Sequence, residues 1–355
     1  MSNKLLSFDL KDLRLPRLLS SQGRAEPLGG GLKPKYPPVA MDLGISQLAL
    51  ARLGSDKEKK WSLTSYDLVE VPDDLLDTEF FRIRIRSADQ YQALVAKALR
   101  REGLKTDKIS LVLPDHLARV ALLPFEELPR GRRDMLEMIR WRMKKAVPFK
   151  VEEATVDYQV LPNRGPGATV LAVLMPSAIL EEHESVFTHQ GIHPGLVDLS
   201  SFSLAHLYRG VIEKDLPDGG DFMILNATHH FFTVMIYRQG VPIFYRCKTY
   251  AFGGEEDEDS GVRLVHREAQ ASLLYYQERL SGMELARVYM RVVGHEPERV
   301  AAVFQGAPVA TPPEVIDVGR VVEVSGRVAA AGADRSFETL QRLAPAVGAA
   351  LGREA

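Results

Sequence analysis

VAMDLGISQLALARLG, residues 39–54, decides how the rest of the chain is read. Apolar residues alternate on both sides of Gly44, the pattern of two strands joined by a tight turn. A charged turn, SDKEKK at 55–60, leads to a third strand from Trp61, so the segment is a β-meander. Next, SADQYQALVAKALRREGL puts Tyr91, Leu94, Val95, Ala98 and Leu99 at helical spacing, with Ser87 as N-cap and Gly103 at the end. KISLVLP at 108–114 then reads as a buried strand.

The second half repeats this layout. FMILNATHHFFTVMIYRQGVPIFYRCKTY, residues 222–250, gives consecutive strands joined by RQG; a helix follows from about Val262 to Leu280, then RVYMRVV as a buried strand. SFETLQRLAPAVGAALG reads as a closing helix. Three strands, a helix and a strand open many actin-like and ribonuclease-H-like domains. The predicted class is therefore α/β, a two-lobed actin-like (ribonuclease-H-like) ATPase fold with an inserted small α/β subdomain. The expected division is a flexible tether over 1–38, the first lobe over 39–118, the insertion over 119–196, a return to the first lobe over 197–218, the second lobe over 219–336 and the closing helix over 337–355. Within the insertion, the pattern predicts a small sheet covered by two helices on one face.

At 355 residues the chain exceeds the size at which one core keeps growing, so two lobes are the default. Hydrophobic residues at 45%, charged residues at 26% and a formal charge of -2 give no bias toward nucleic acid or acidic lipid. Cys247 is the single cysteine, which removes disulfides and cysteine-built metal clusters. No run approaches the ~18 apolar residues of a membrane span, and the start lacks a secretory pattern. The expected location is the cytoplasm. Before the meander, LLSFDLKDLRLPRLL followed by SSQGRAEPLGGGLKPKYPP reads as a tethered peptide and linker.

One later segment carries a family signature. In EMIRWRMKKAVPFKVEEATVDYQVLP a helix stops before Pro148; Val147, Pro148, Phe149, Glu152, Glu153, Asp157, Tyr158, Gln159, Val160 and Leu161 then resemble the tripeptide, acidic pair and strand typical of PilM proteins. LLPFEELP, GIHPGLVDLSSFSLAHLY, REAQASLLYYQERLSG and the closing APAVGAALG fall in the family's order. The resemblance implies an actin-like fold related to the cell-division protein FtsA. It also implies a cytoplasmic scaffold of type IV pilus biogenesis and twitching motility, peripheral to the inner membrane through its partners. Those implied partners are the cytoplasmic N-terminal peptide of a PilN-like protein, PilO-like proteins and the pilus motor ATPase. The cytoplasmic part of the type II secretion protein GspL is an architectural relative.

Actin-like ATPases hold phosphate in two hairpins, each with an acidic residue and a small-residue turn; backbone N–H groups meet the anion and the carboxylate positions magnesium. By the resemblance, Asp42, Gly44 and Ser46 match the first hairpin, while Ala49 stands where the family often has lysine. The second hairpin has Asn226 in place of an acid and Thr228 in the turn, followed by His229, His230, Phe231 and Phe232. Gly294 is what remains of the adenosine-side motif, and Gly253 with Gly254 precedes an acidic run. The expectation is ATP with magnesium bound weakly or not at all, and no enzymatic turnover.

Other chemistry is not signalled. His229 and His230 are adjacent on a strand-like stretch and so face opposite sides, Ser200 and Ser201 suit a helix start, and the seven basic residues of RGRRDMLEMIRWRMKK lie opposite an apolar stripe. That basic face suits a protein partner or anionic headgroups, and no nucleic-acid partner is expected. The leading function is an adaptor that captures an extended peptide between the first lobe and the insertion. The alternatives are an actin-like ATPase or kinase, a GspL-like secretion component, and an FtsA-like filament protein.

Overall fold

The computed structural model describes residues 37–58, 60–101, 107–162, 167–216, 219–249, 258–324 and 336–351. The expected tether therefore lies almost wholly outside the described residues, as do Gly103, Gly253 and Gly254.

The meander is present as β1 (Val39–Leu43), β2 (Gln47–Ser55) and β3 (Trp61–Glu70), followed by a hairpin of β4 (Leu76–Glu79) and β5 (Arg82–Ile85) that the sequence reading missed. Helix α1 (Ala88–Arg101) and strand β6 (Lys108–Leu113) complete the motif. The amide of Gln90 lies 3.5 Å from the Ser87 hydroxyl, in keeping with the expected N-cap. Next come β7 (Arg119–Phe125), α2 (Arg132–Met143), β8 (Ala154–Leu161), β9 (Ala168–Pro176), α3 (Ser177–Thr188), β10 (His193–Leu199) and α4 (Ser200–Asp215). The second lobe opens with β11 (Asp221–Ala227), β12 (Phe231–Arg238), β13 (Val241–Thr249), α5 (Glu258–Arg279) and β14 (Arg287–Val292). It ends with α6 (Pro297–Ala301), β15 (Glu314–Val315), β16 (Glu323–Val324) and the closing helix α7 (Phe337–Ala350).

Both lobes are built the same way. In the six-stranded sheet, ordered β10-β6-β1-β2-β3-β16, β1 pairs antiparallel with β2 and parallel with β6. In the five-stranded sheet, ordered β13-β12-β11-β14-β15, β11 pairs antiparallel with β12 and parallel with β14. A hairpin followed by a helical crossover explains the repeat seen in the sequence. β1 is buried at every residue, Asp42 included, so the alternation read in VAMDL does not mark a face open to solvent.

A third sheet, ordered β7-β9-β8, lies between β6 and β10 in the chain. Val170, Ala172 and Leu174 of β9 pack with Met135, Ile139 and Met143 of α2 in one cluster, whereas Leu171, Val173 and Met175 join the large first-lobe core. Period-two geometry thus serves two cores from one apolar run. This corrects two details of the expected insertion. Among the described α-helices α2 is the one that contributes to that small core, since Ile179, Leu180, Val186 and Phe187 of α3 belong to the first-lobe core. β10 pairs in parallel with β6 rather than with the small sheet. A second displacement concerns β16, expected in the second lobe, which pairs with β3 of the first.

Candidate functional site

The two meanders present their turns toward each other. Asp42, opposite Ala49 on β2 and Val112 on β6, is the next-to-last residue of the wholly buried β1. Gly44 follows in a turn so close that a Cβ there would lie 2.6 Å from the Gln47 carbonyl oxygen. Ser46 is exposed, and its carbonyl accepts from the Val71 amide at 3.0 Å. Asp42, Gly44, Ser46, Ser200, Thr228 and Arg291 help line a cavity of about 60 Å³. A wider open pocket of about 670 Å³ adjoins it, sharing Ser46, Gln47 and Arg342 and adding Lys97.

The second turn satisfies itself. Thr228 Oγ1 donates to the Phe231 carbonyl at 2.9 Å and accepts from the amides of His230 and Phe231 at 3.2 and 3.1 Å. Gly294 sits at φ 85°, reachable by glycine at little cost, and a Cβ there would lie 2.1 Å from the His229 ring. His229 therefore covers Gly294. Asn226 is fully buried behind the cavity.

Asn226 belongs to a buried network that joins the lobes. Asp115, in the 3-10 turn after β6, accepts from the Ser201 amide at 3.0 Å, from the Ser201 hydroxyl and from Thr233 Oγ1 at 2.8 Å. Asp115 thus caps the N-terminus of α4 from another part of the chain. Asn226 Nδ2 stands 3.1 Å from Ser200 Oγ and 3.4 Å from Asp115 Oδ2, while its Oδ1 accepts from Arg291 at 3.0 Å. Arginine only donates and an ionised carboxylate only accepts, so an amide is the side chain that can bridge them. An amide at 226, where the resemblance leads one to expect an acid, therefore has a local reason: a second carboxylate would face Asp115.

Burial is the main electrostatic influence here. It pushes the Asp42 carboxyl up to about 7, with Arg291 pulling it down and Asp115 adding to the rise. Burial also raises Asp115, against the hydrogen bonds from Ser201, Thr233 and Asn226. The Arg291 guanidinium is lowered by burial and supported by Asp42 and Asp115. His116 is pushed down to about 3 by burial and by His230. Its ring nitrogens have no hydrogen-bond partner among the described residues, and it packs 5.3 Å from the Phe231 ring. Sequence reasoning missed Asp115, Thr233 and Arg291. The available signal was a charged residue at or inside an apolar strand, KISLVLPD and VYMRVV, since a buried charge needs partners.

A second feature lies where the first lobe meets the small sheet. Phe149 of the signature stacks edge-on against Phe81 at 5.4 Å, and the Phe81 amide donates to the His116 carbonyl at 3.1 Å. Beside this junction opens a groove of about 790 Å³, lined by Phe80 and Arg119 on one side and by Phe244, Arg246, Lys248 and Tyr275 on the other. β7 and β13 face this groove, each the outer strand of its sheet among the described residues. Among those residues no helix is long and apolar enough to cross a membrane, and no group of three or more His, Cys, Asp or Glu side chains is placed to hold a metal.

The comparisons with known proteins agree with this architecture. The family profile described as type IV pilus assembly protein PilM matches residues 40–266. A solved PilM-PilN type IV pilus biogenesis complex is similar at 16% identity and a TM-score of 0.70, over 89% of this chain and 97% of that one. A Bacteroides thetaiotaomicron protein of actin-like ATPase fold and unknown function is similar at 10% identity and a TM-score of 0.48, over 82% and 93%. The cytoplasmic domain of EpsL, an inner membrane component of the Vibrio cholerae type II secretion system, gives 10% identity and a TM-score of 0.41, over 73% and 85%. No curated protein matches. The fold is the two-lobed actin-like one.

Proposed function

The chain belongs to the PilM family of type IV pilus assembly proteins, and from that premise we propose that it is an adaptor that binds the cytoplasmic N-terminal peptide of a PilN-like membrane protein and links it to the pilus motor. The observation that carries this reading is the position of Phe149. Within the family signature, in the loop between α2 and β8, the half-buried Phe149 ring packs on Phe81 at the junction of the first lobe and the small sheet. Next to that junction, two outer strands and several aromatic side chains border an open groove. An extended peptide can bind such a place by backbone pairing, with side-chain pockets giving selectivity. Association with the inner membrane then comes through the partner, with PilO-like proteins in the same assembly.

On this reading the interlobe cleft does not hydrolyse ATP. Thr228 already occupies the amides of its own turn, His229 covers Gly294, and the space beside Asp42 suits a few water molecules rather than a triphosphate. Asp42, Gly44 and Ser46 stay the place to look for residual nucleotide binding.

The test is calorimetry of the purified chain with a synthetic peptide copying the cytoplasmic N-terminus of the PilN-like protein from the same organism. Binding is expected, weakened about tenfold or more by Phe149→Ala, as for a loss of ~1.4 kcal/mol or more. Absence of binding, or a folded Phe149→Ala protein that binds as tightly as the parent, overturns the reading.

A further inference from the structure

Arg291 is the next-to-last residue of β14, directly after the apolar run Val288, Tyr289 and Met290, and it is 5% exposed. A guanidinium taken out of water needs acceptors and opposite charge, or the site is strongly destabilised. Three separate features of the fold meet that need. Parallel pairing sets Arg291 abreast of Asn226, whose Oδ1 takes one N–H at 3.0 Å. Arg291 Nε donates to the Gln341 carbonyl of α7 at 2.8 Å. That carbonyl is available because the residue four positions later is Pro345, which has no N–H to return to it. Opposite charge comes from the first lobe, where Asp42 and Asp115 both attract the guanidinium.

We propose that Arg291 is the resident cation of the interlobe cleft, supplying from within the chain the positive charge that a divalent metal supplies beside the acid of a phosphate-binding hairpin, and holding the two lobes at one closure without ligand. Magnesium with a nucleotide does not fit the residues present. A metal beside Asp42 would meet a buried guanidinium in a cavity of about 60 Å³, and the neighbouring acid position is an amide bonded to that same guanidinium. The second hairpin offers its amides to Thr228 rather than to an anion. This inference stands apart from peptide capture: it is tested at Arg291 and Asp42, and the adaptor reading at Phe149.

The experiment is thermal unfolding of the full chain at mildly alkaline pH, where carboxyl groups are charged. Arg291→Met is expected to lower Tm by about 5–10 °C. Adding Asp42→Asn to that variant is expected to recover much of the loss, because the carboxylate left without a counter-charge is gone. The unaltered protein should show the same Tm in EDTA and in millimolar magnesium chloride. A double variant no more stable than Arg291→Met overturns the proposal, and so does a magnesium-dependent Tm in the unaltered protein. Should Arg291→Met not fold, the yield of folded double variant decides instead: recovery supports the counter-charge role, and continued failure to fold counts against it.

Discussion

Asn226 shows at the scale of a single residue how a side chain other than the expected acid has a local cause. Its amide joins a pure donor, Arg291, to a pure acceptor, Asp115. Asn226→Asp is therefore expected to destabilise the fold by about 1–3 kcal/mol in denaturant unfolding, and to confer no ATP turnover, because it sets two carboxylates side by side. His116 makes a different prediction. Its folded pKa, pushed down to about 3, lies below that of the unfolded chain, near 6.5. The folded state thus binds fewer protons between those values, and this residue's share of stability is full above about pH 6.5 and falls on acidification toward pH 3. His116→Phe, which keeps the packing on Phe231, should leave stability at neutral pH equal or higher and flatten its fall between about pH 6.5 and 4. Urea midpoints across that range check it; equal slopes for both proteins would refute the assignment.

Elements were legible where one pattern meant one environment. The three strands, helix and strand of each lobe follow from alternation, a capped apolar stripe and a buried run. The hairpin Leu76–Ile85 was not legible, because its four-residue strands in LLDTEFFRIRIR mix charge and aromatics without a turn dipeptide. The expected boundary at 196/197 falls inside β10, and the whole strand pairs with β6 of the first lobe. Parallel strands pair through a crossover, so the partner of β10 is set by how α3 packs and not by its neighbours in sequence. The small core under α2 gives a prediction at this scale. Ile139 is fully buried there, and Ile139→Ala should cost about 2–4 kcal/mol. Amide exchange should accelerate in β7, β8 and β9 more than in the second-lobe strands; uniform acceleration would mean that the small sheet has no local stability of its own.

Across the whole molecule, Asp115 is where first lobe, second lobe and α4 meet. Asp115→Ala removes the acceptor of the Ser201 amide and hydroxyl and of Thr233, and should cost about 3 kcal/mol or more. The accompanying sign is faster exchange at the start of α4 and in β11 and β12. An adaptor with a self-satisfied cleft should also bind its peptide with the same affinity with and without magnesium ATP. A several-fold change in peptide Kd on adding nucleotide would instead tie the cleft to partner binding.

By itself the sequence determined the two repeated lobes, the family signature around Pro148 and the first hairpin at Asp42, because each is written in contiguous residues as periodicity, turn chemistry or an ordered motif. The resemblance also set Asn226 at the place where an acid is expected. Only the tertiary structure decided what that side chain meets. Asp115, Asn226, Thr233, Arg291 and Pro345 are spread across 231 positions of the chain, and although a charge inside the apolar run VYMRVV signals a need for partners, nothing local says which residues they are. Their meeting depends on strand register and on the docking of α7, which brings Arg291 abreast of Asn226 and beside the carbonyl that Pro345 leaves unbonded. A buried charge is tolerated only where such partners converge, and convergence is a property of the packed chain.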